Sequence, residues 1–150
     1  MKKLFVAICA VALLIMGCGE DNLATSAEVK EASQVQNHIA VQIGGRTFPA
    51  TLEDNPTARA FIERLPLEFD MQDLNSNEKY FYLSKDLPSD SLHVKQIHAG
   101  DLMLFGSNCL VLFYKDFATS YSYTRLGKID APTDLEKILG KGNVRVQFVK

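Results

Sequence analysis

Apolar and polar residues alternate in several short stretches of the chain, and this alternation predicts β-strands. Ile39, Val41 and Ile43 are separated by polar or small residues, and residues 47–52 resume the extended pattern after Gly44-Gly45. A glycine pair between two alternating runs has the turn chemistry of a tight β-hairpin. The folded part of the chain is therefore predicted to begin with a hairpin.

Two strongly apolar runs, at residues 101–105 and 110–114, predict a second hairpin around Gly106-Ser107-Asn108. Further strands are predicted at residues 67–71, 80–83, 121–125 and 144–148, with a turn at 75–77 and a loop at 87–90. Short strands of this kind expose unpaired edges unless the sheet closes on itself. The pattern therefore favours a closed barrel.

Two short segments have the apolar spacing of helices, and each is flanked by residues that are typical of helix termini. In the first, Asn55 is placed to cap the helix and Pro56 suits its first position. The apolar stripe that follows consists of Ala58, Phe61, Ile62 and Leu65. In the second, Thr133-Asp134-Leu135-Glu136 has the form of a capping box, and Gly140 closes the helix. The predicted fold class is mainly β, a small closed barrel of about eight strands with two short helices.

The start of the chain has the pattern of a bacterial export signal. Lys2-Lys3 precedes an uninterrupted apolar run at residues 4–16, which is shorter than the ~20 residues that span a bilayer as a helix. The run ends in Ile15-Met16-Gly17-Cys18, which resembles the bacterial lipoprotein cleavage box. Residues 1–17 are therefore predicted to be a lipoprotein signal peptide.

Cys18 is the predicted site of lipidation, because a lipoprotein carries its diacylglycerol on the thiol of the cysteine at the cut. Stable attachment needs more than one acyl chain, such as palmitate, and a diacylated cysteine supplies them. The expected location is a bacterial membrane outside the cytoplasm, the outer one in an organism with two, because Gly19 rather than aspartate follows. A plain secretory signal, cut near Ala24 or Ala27, is the alternative.

Residues 18–37 are polar and aperiodic, which predicts a flexible tether, and residues 38–150 are long enough for one domain. The formal net charge is −2 and no basic run is present, so nucleic acid is not expected as a partner.

The sequence predicts neither a metal site nor a cofactor. His38, His93 and His98 do not have the spacing of metal ligands. Cys109 lies in a strand-like apolar run, where a free cysteine usually acts as a small buried hydrophobic residue.

Residues 100–115 and 119–129 resemble the core of the bacterial cyclophilin-like domain family. Residues 52–55, followed by Thr57-Ala58, resemble it as well. The resemblance extends from about residue 39 to residue 148 and implies a small closed β-barrel with two helices. It does not imply an activity, because one fold supports many functions.

Tyr121, Tyr123 and Arg125 are the candidate ligand-binding residues, because alternate residues of a strand share one face. Two aromatic rings beside a guanidinium group can bind a peptide or a carboxylate. The alternative is structural, with both tyrosines packing against the barrel and Arg125 extending to its rim.

The predicted function is that of a lipid-anchored module that binds a peptide, a protein or a small molecule. The alternative is a peptidyl-prolyl cis/trans isomerase acting on exported proteins, with Arg125 as the catalytic candidate. Cyclophilins that isomerise prolyl bonds carry Phe-His-Arg and Phe-Met-x-Gln-Gly-Gly-Asp segments, and this sequence has neither. The enzyme is therefore the weaker of the two hypotheses.

Overall fold

The computed structural model describes residues 37–150 of the chain, which contain the β-rich pattern. The predicted signal peptide, Cys18 and nearly all of the predicted tether lie outside the described residues. Within residues 37–150, no helix has the length and apolar character needed to cross a bilayer.

Eleven strands and two helices make up this part of the chain. The strands are β1 (His38–Ile43), β2 (Arg46–Leu52), β3 (Leu67–Leu74), β4 (Glu78–Tyr82), β5 (Leu92–His93), β6 (Gln96–Ile97), β7 (Asp101–Phe105), β8 (Cys109–Phe113), β9 (Phe117–Ala118), β10 (Ser122–Ile129) and β11 (Val144–Val149). The helices are α1 (Pro56–Glu63) and α2 (Leu135–Leu139).

Eight strands close into an antiparallel barrel in the order β2-β1-β11-β3-β4-β8-β7-β10, with β10 pairing back onto β2. Closure gives each barrel strand two neighbours, which removes the exposed edges of an open sheet. Outside the barrel, β5 pairs with β10, and β6 and β9 form a separate ribbon. The predicted fold, mainly β with a closed barrel and two helices, is confirmed.

Both predicted hairpins are present. The turn between β1 and β2 places Gly44 at a φ of 56° and Gly45 at 78°, a conformation that favours glycine. β7 and β8 pair across the turn that begins at Gly106. β1 also pairs with β11, the last strand of the chain, so that Ala40 faces Val149.

The backbones of β10 and β2 come very close where the barrel closes. Gly127 faces Leu52, and the register between β10 and β7 shifts between Arg125 and Gly127. A Cβ atom at residue 127 would lie 2.5 Å from the Thr51 carbonyl oxygen and 2.7 Å from the Leu52 Cα. Only a residue without a side chain allows this approach.

The sheet is buried on both faces along β8. Leu110 and Leu112 point into the main core inside the barrel, whereas Cys109, Val111 and Phe113 belong to a second cluster outside it. The second cluster also contains Ile97, Met103 and Tyr123, with Tyr80, Val94 and Phe117 packed against it. Because both faces of β8 are buried, its sequence is continuously apolar rather than alternating. The segment from β5 to β9 therefore covers one outer face of the barrel.

The first helix has the predicted start, and the second does not. The Asn55 side chain accepts a hydrogen bond of 2.8 Å from the Ala58 N–H, and Pro56 follows as the first helical residue. At α2, however, Asp134 occupies the cap position with a φ of 64° and makes no capping hydrogen bond. The capping box predicted for Thr133 is therefore wrong, because the left-handed residue between Thr133 and the helix moves Thr133 out of the cap position.

A buried lysine on β4 forms hydrogen bonds that join the segment after α2 to one end of the barrel. The Lys79 ammonium group is fully buried and lies 2.7 Å from the Asp73 carboxylate. It also donates hydrogen bonds to the carbonyl oxygens of Gly140, at 3.0 Å, and Gly142, at 2.7 Å. The Tyr114 hydroxyl donates to Asp73 at 2.6 Å. These bonds satisfy a charge that would otherwise be costly to bury.

Candidate functional site

A cavity of about 470 Å³ opens on the outer wall of the barrel, against the second core cluster. We call it the outer cavity. Its walls come from the end of β3 and the turn after it, β4, the β7–β8 hairpin, residues 117–121 and the start of β10. Its lining includes Leu74, Asn77, Glu78, Tyr80, Tyr82, Phe105, Cys109, Tyr121 and Tyr123.

Exposed apolar side chains are concentrated at the outer cavity. Residues 37–150 leave five large hydrophobic side chains exposed, and four of them line this cavity, namely Leu74, Tyr82, Phe105 and Tyr121. The fifth, Leu92, is not part of its lining. Clustered exposure of this kind is typical of a binding surface, whereas scattered exposed hydrophobic residues are ordinary.

The aromatic rings of the cavity contact one another. The centroid of Phe105 lies 6.0 Å from that of Tyr121 and 5.6 Å from that of Tyr123. Tyr123 also packs edge-on against Phe113, at 5.5 Å. Tyr123 is thus a buried wall of the cavity, while Tyr121, which is 62% exposed, lies at its rim. Burial raises the pKa of the Tyr123 hydroxyl to about 12.

Two of the three predicted ligand-binding residues lie at the outer cavity. Tyr121 and Tyr123 line it, but Arg125, two residues further along β10, does not. The Arg125 side chain is exposed, and its carbonyl oxygen accepts a hydrogen bond of 2.8 Å from the Asn55 side chain. The expected combination of two aromatic rings with a guanidinium group is therefore not assembled at this cavity.

Glu78 is the ionisable residue that the sequence interpretation missed. Its side chain lines the outer cavity, although the residue is only 9% exposed. Burial, and to a smaller extent the negative charge of Asp73, raises the pKa of this carboxyl group to about 7. The period-two spacing of Glu78, Tyr80 and Tyr82 is the signal that could have identified it, because these residues share the outer face of β4.

Cys109 also lines the outer cavity, but its thiol is a poor nucleophile. The residue is buried, and burial raises the pKa of the thiol above its ordinary value. A thiol reacts through its thiolate form, which this environment disfavours. The prediction of a small buried hydrophobic residue is confirmed.

A second cavity, of about 640 Å³, lies beside α2. Its lining includes several exposed charged side chains, and Lys115 is already paired with Glu136 at 3.1 Å. The charged groups of this cavity are either paired with one another or hydrated, so it is a weaker candidate for a ligand site than the outer cavity. Among residues 37–150, no cluster of three or more His, Cys, Asp or Glu side chains could hold a metal ion.

Comparison with curated proteins finds no match for this chain. The sequence profile of the Cyclophilin-like family matches residues 41–149, which extend from the middle of β1 to the end of β11 and include every residue that lines the outer cavity. The match spans well over half of the 150 residues, and its limits agree with the closed barrel. The chain therefore belongs to the cyclophilin-like family.

Proposed function

We propose that this chain is a lipid-anchored binding module whose outer cavity takes a peptide or a small molecule. The observation that carries the proposal is the clustering of four of the five large exposed hydrophobic side chains around one cavity. Its volume, about 470 Å³, is within the range of pockets that enclose small ligands. A ligand that removed these side chains from water would gain about 25 cal/mol for each Å² of apolar surface buried.

The isomerase alternative has less support. Stabilising the twisted amide of an X-Pro bond requires a preorganised donor, such as an arginine, inside the apolar pocket. Arg125, the arginine nominated for this role, does not line the outer cavity. A binding module requires only the concave apolar surface, which is present.

The rim tyrosine provides the direct test of ligand binding. We expect the purified full-length chain, in a neutral detergent, to bind the neutral aromatic probe 2-phenylethanol weakly. The Tyr121→Ser variant should bind it about five- to tenfold more weakly, because one aromatic contact contributes about 1 kcal/mol. Saturation-transfer NMR titrations measure both affinities.

Leu92→Ser is the matched control, because Leu92 is exposed to a similar extent as Tyr121 but does not line the cavity. Equal weakening in both variants would show that the probe binds exposed apolar surface in general. Unchanged binding in the Tyr121→Ser variant would exclude the cavity as the binding site.

The lipid anchor is proposed from the sequence of the leader. We expect a Cys18→Ser variant to remain an uncleaved precursor without lipid, because serine has no thiol to carry the diacylglycerol. Metabolic labelling with a palmitate analogue, followed by gel analysis, measures this. Cys9→Ser, which changes a cysteine within the leader, is the control and should label like the wild type. Equal labelling of the wild type and the Cys18→Ser variant would remove the anchor from the proposal.

A further inference from the structure

We propose that the outer cavity binds a cationic nitrogen group, either a primary ammonium or a guanidinium, on an apolar or aromatic body, with the Glu78 carboxylate as its counter-ion. The inference rests on the proposed binding function and adds the chemical class of the ligand. The shared chemistry occurs both in free amines and in the lysine or arginine side chains of a peptide.

Within residues 37–150, the Glu78 carboxylate has no hydrogen-bond or ion-pair partner. The residue is nine-tenths buried and lines the cavity, yet no hydrogen bond or ion pair reaches its carboxylate from any residue in 37–150. Its neighbour Lys79, in contrast, is paired with Asp73 at 2.7 Å. Buried carboxylates in folded proteins are normally paired with donors or cations. The partner that Glu78 lacks within the domain is thus a hydrogen-bond donor.

A second acceptor at the same cavity is also unpaired. Asn77 is the residue before Glu78, it lines the cavity, and its Oδ1 atom is buried without a hydrogen-bond partner. It is the one fully buried side-chain nitrogen or oxygen atom without a partner in the described part of the chain, whereas the unpaired Glu78 carboxylate keeps contact with the space of the cavity. Ammonium and guanidinium groups carry several N–H donors and no acceptor, so such a group supplies the donors that the Glu78 carboxylate lacks within residues 37–150.

The walls favour a cation in another way. Tyr80 and Tyr82 lie edge to face on β4, with centroids 5.8 Å apart, and Phe105, Tyr121 and Tyr123 add three more aromatic rings to the lining. The face of an aromatic ring carries negative charge density, which attracts ammonium and guanidinium groups. An aromatic cavity with a carboxylate in its wall thus matches both the charge and the apolar body of the proposed ligand.

The charge of the lining excludes the opposite class of ligand. No lysine, arginine or histidine of residues 37–150 lines the outer cavity. A carboxylate or phosphate in this cavity would have no cationic partner and would be repelled by ionised Glu78. The sequence-based expectation of a carboxylate ligand depended on Arg125, which lies outside this lining.

The protonation of Glu78 makes binding depend on pH. The ionisable groups around it are Asp73 from β3, Tyr80 and Tyr82 from its own strand, Cys109 from β8, Tyr114 after β8 and Tyr123 from β10, with Lys79 paired to Asp73. Hydrogen bonds from Lys79 and Tyr114 lower the pKa of Asp73, whereas burial raises the pKa of Cys109, Tyr114 and Tyr123. Glu78, with a pKa of about 7, is thus the group that changes its charge between pH 6 and pH 8.

The experiment compares three probes that share one aromatic body and differ in charge: 2-phenylethylammonium, 2-phenylethanol and phenylacetate. We titrate each into the full-length chain in a neutral detergent at pH 8 and follow binding by saturation-transfer NMR. The cation is expected to bind at least about tenfold more tightly than the neutral probe, with phenylacetate the weakest. Acetyl-lysyl-phenylalaninamide represents a peptide ligand. Whichever of this peptide and 2-phenylethylammonium binds more tightly shows whether the cationic group comes from a peptide side chain or from a free amine.

Glu78→Gln is the decisive variant, because it keeps the shape of the side chain and removes its charge. Because its pKa is raised, Glu78 contributes to the stability of the fold when the pH is below its ordinary pKa of 4.5. This contribution is lost as the pH rises through about 7. Glutamine does not ionise and therefore does not lose this stability at high pH, so the variant is expected to fold at pH 8. It should bind the cation and the neutral probe about equally well. Glu63→Gln, which changes an exposed acid on α1, should behave like the wild type.

The pH series adds a second readout. Affinity of the wild type for 2-phenylethylammonium should rise about tenfold from pH 6 to pH 8, since the ionised fraction of a group with a pKa of about 7 rises by that factor. The Glu78→Gln variant should show no such rise.

Two outcomes would overturn the proposal, and they differ in what they leave standing. Equal binding of the cation and the neutral probe, unchanged in Glu78→Gln, would exclude a cationic ligand while keeping the cavity as a binding site. Failure of every probe to bind at millimolar concentration would overturn the binding function together with the ligand class.

Discussion

Replacing Lys79 with methionine is expected to lower the free energy of unfolding by about 3 kcal/mol, because it removes the fully buried cation of an ion pair whose acid, Asp73, is only partly exposed. The change removes the cation that lies 2.7 Å from Asp73 and leaves the carbonyl oxygens of Gly140 and Gly142 without their donor. Methionine has a similar length and no polar head, so the loss of packing is small. Urea unfolding followed by circular dichroism measures the effect.

Asp73→Asn and the double variant complete the cycle. Because Lys79 and Asp73 act on one another, the double variant should lose less stability than the sum of the two single variants. A loss below about 1 kcal/mol in Lys79→Met would contradict the interpretation, since that is the range of exposed ion pairs.

The same pair gives a pH dependence with a definite sign. The hydrogen bonds from Lys79 and Tyr114 lower the pKa of Asp73 below its ordinary value of 3.8. The stabilising contribution of Asp73 is therefore present above that value and is lost as the pH falls below it. In Lys79→Met this loss at acid pH should be smaller, because one cause of the lowered pKa is gone.

Replacing Gly127 with alanine is expected to lower the free energy of unfolding by about 3 kcal/mol, through overpacking at the closure of the barrel. The new Cβ would lie 2.5 Å from the Thr51 carbonyl oxygen and 2.7 Å from the Leu52 Cα, so both contacts involve backbone atoms. Backbone held in a ladder cannot move aside as the end of a flexible side chain can. Thermal unfolding of the variant and the wild type measures the difference.

Gly106→Ala separates steric conflict from backbone strain. Gly106 has a φ of 63°, and no heavy atom lies within 4 Å of a Cβ placed there. Its substitution should therefore lower stability only by the strain of a left-handed alanine, about 1 kcal/mol. Similar losses in the two variants would show that the close approach between β10 and β2 does not govern the effect.

The main strands were predictable because alternation and turn residues agree along the chain. Ile39, Val41 and Ile43 pack into the barrel interior, and Gly44-Gly45 adopts the turn that its composition predicts. The strands β5, β6 and β9 were not predictable, since each has two residues and depends on a partner elsewhere in the fold. The helix α2 was predicted, but its cap was not, because the left-handed conformation of Asp134 overrides the local capping pattern.

The candidate site was predictable only where it coincides with a single strand. Tyr121 and Tyr123 line the outer cavity as the spacing along the predicted strand 121–125 suggested, whereas Arg125, two residues after Tyr123, does not. Glu78 and Phe105 belong to β4 and β7, and which strands lie side by side depends on the order in which the barrel closes. The burial that sets the charge of Glu78 depends on residues far away in sequence, which no local pattern contains.

The pairing of β1 with β11 places the beginning and the end of the barrel side by side. His38, at the start of β1, and Val149, at the end of β11, lie at the same rim, since Ala40 faces Val149 in an antiparallel register. Anything joined to either side of the domain therefore emerges at one pole. The Gly44-Gly45 turn is at the other pole, and the outer cavity lies on the outer face of the wall between them. A membrane anchor and a fused partner would thus compete for the same pole while leaving the wall of the barrel open to a ligand.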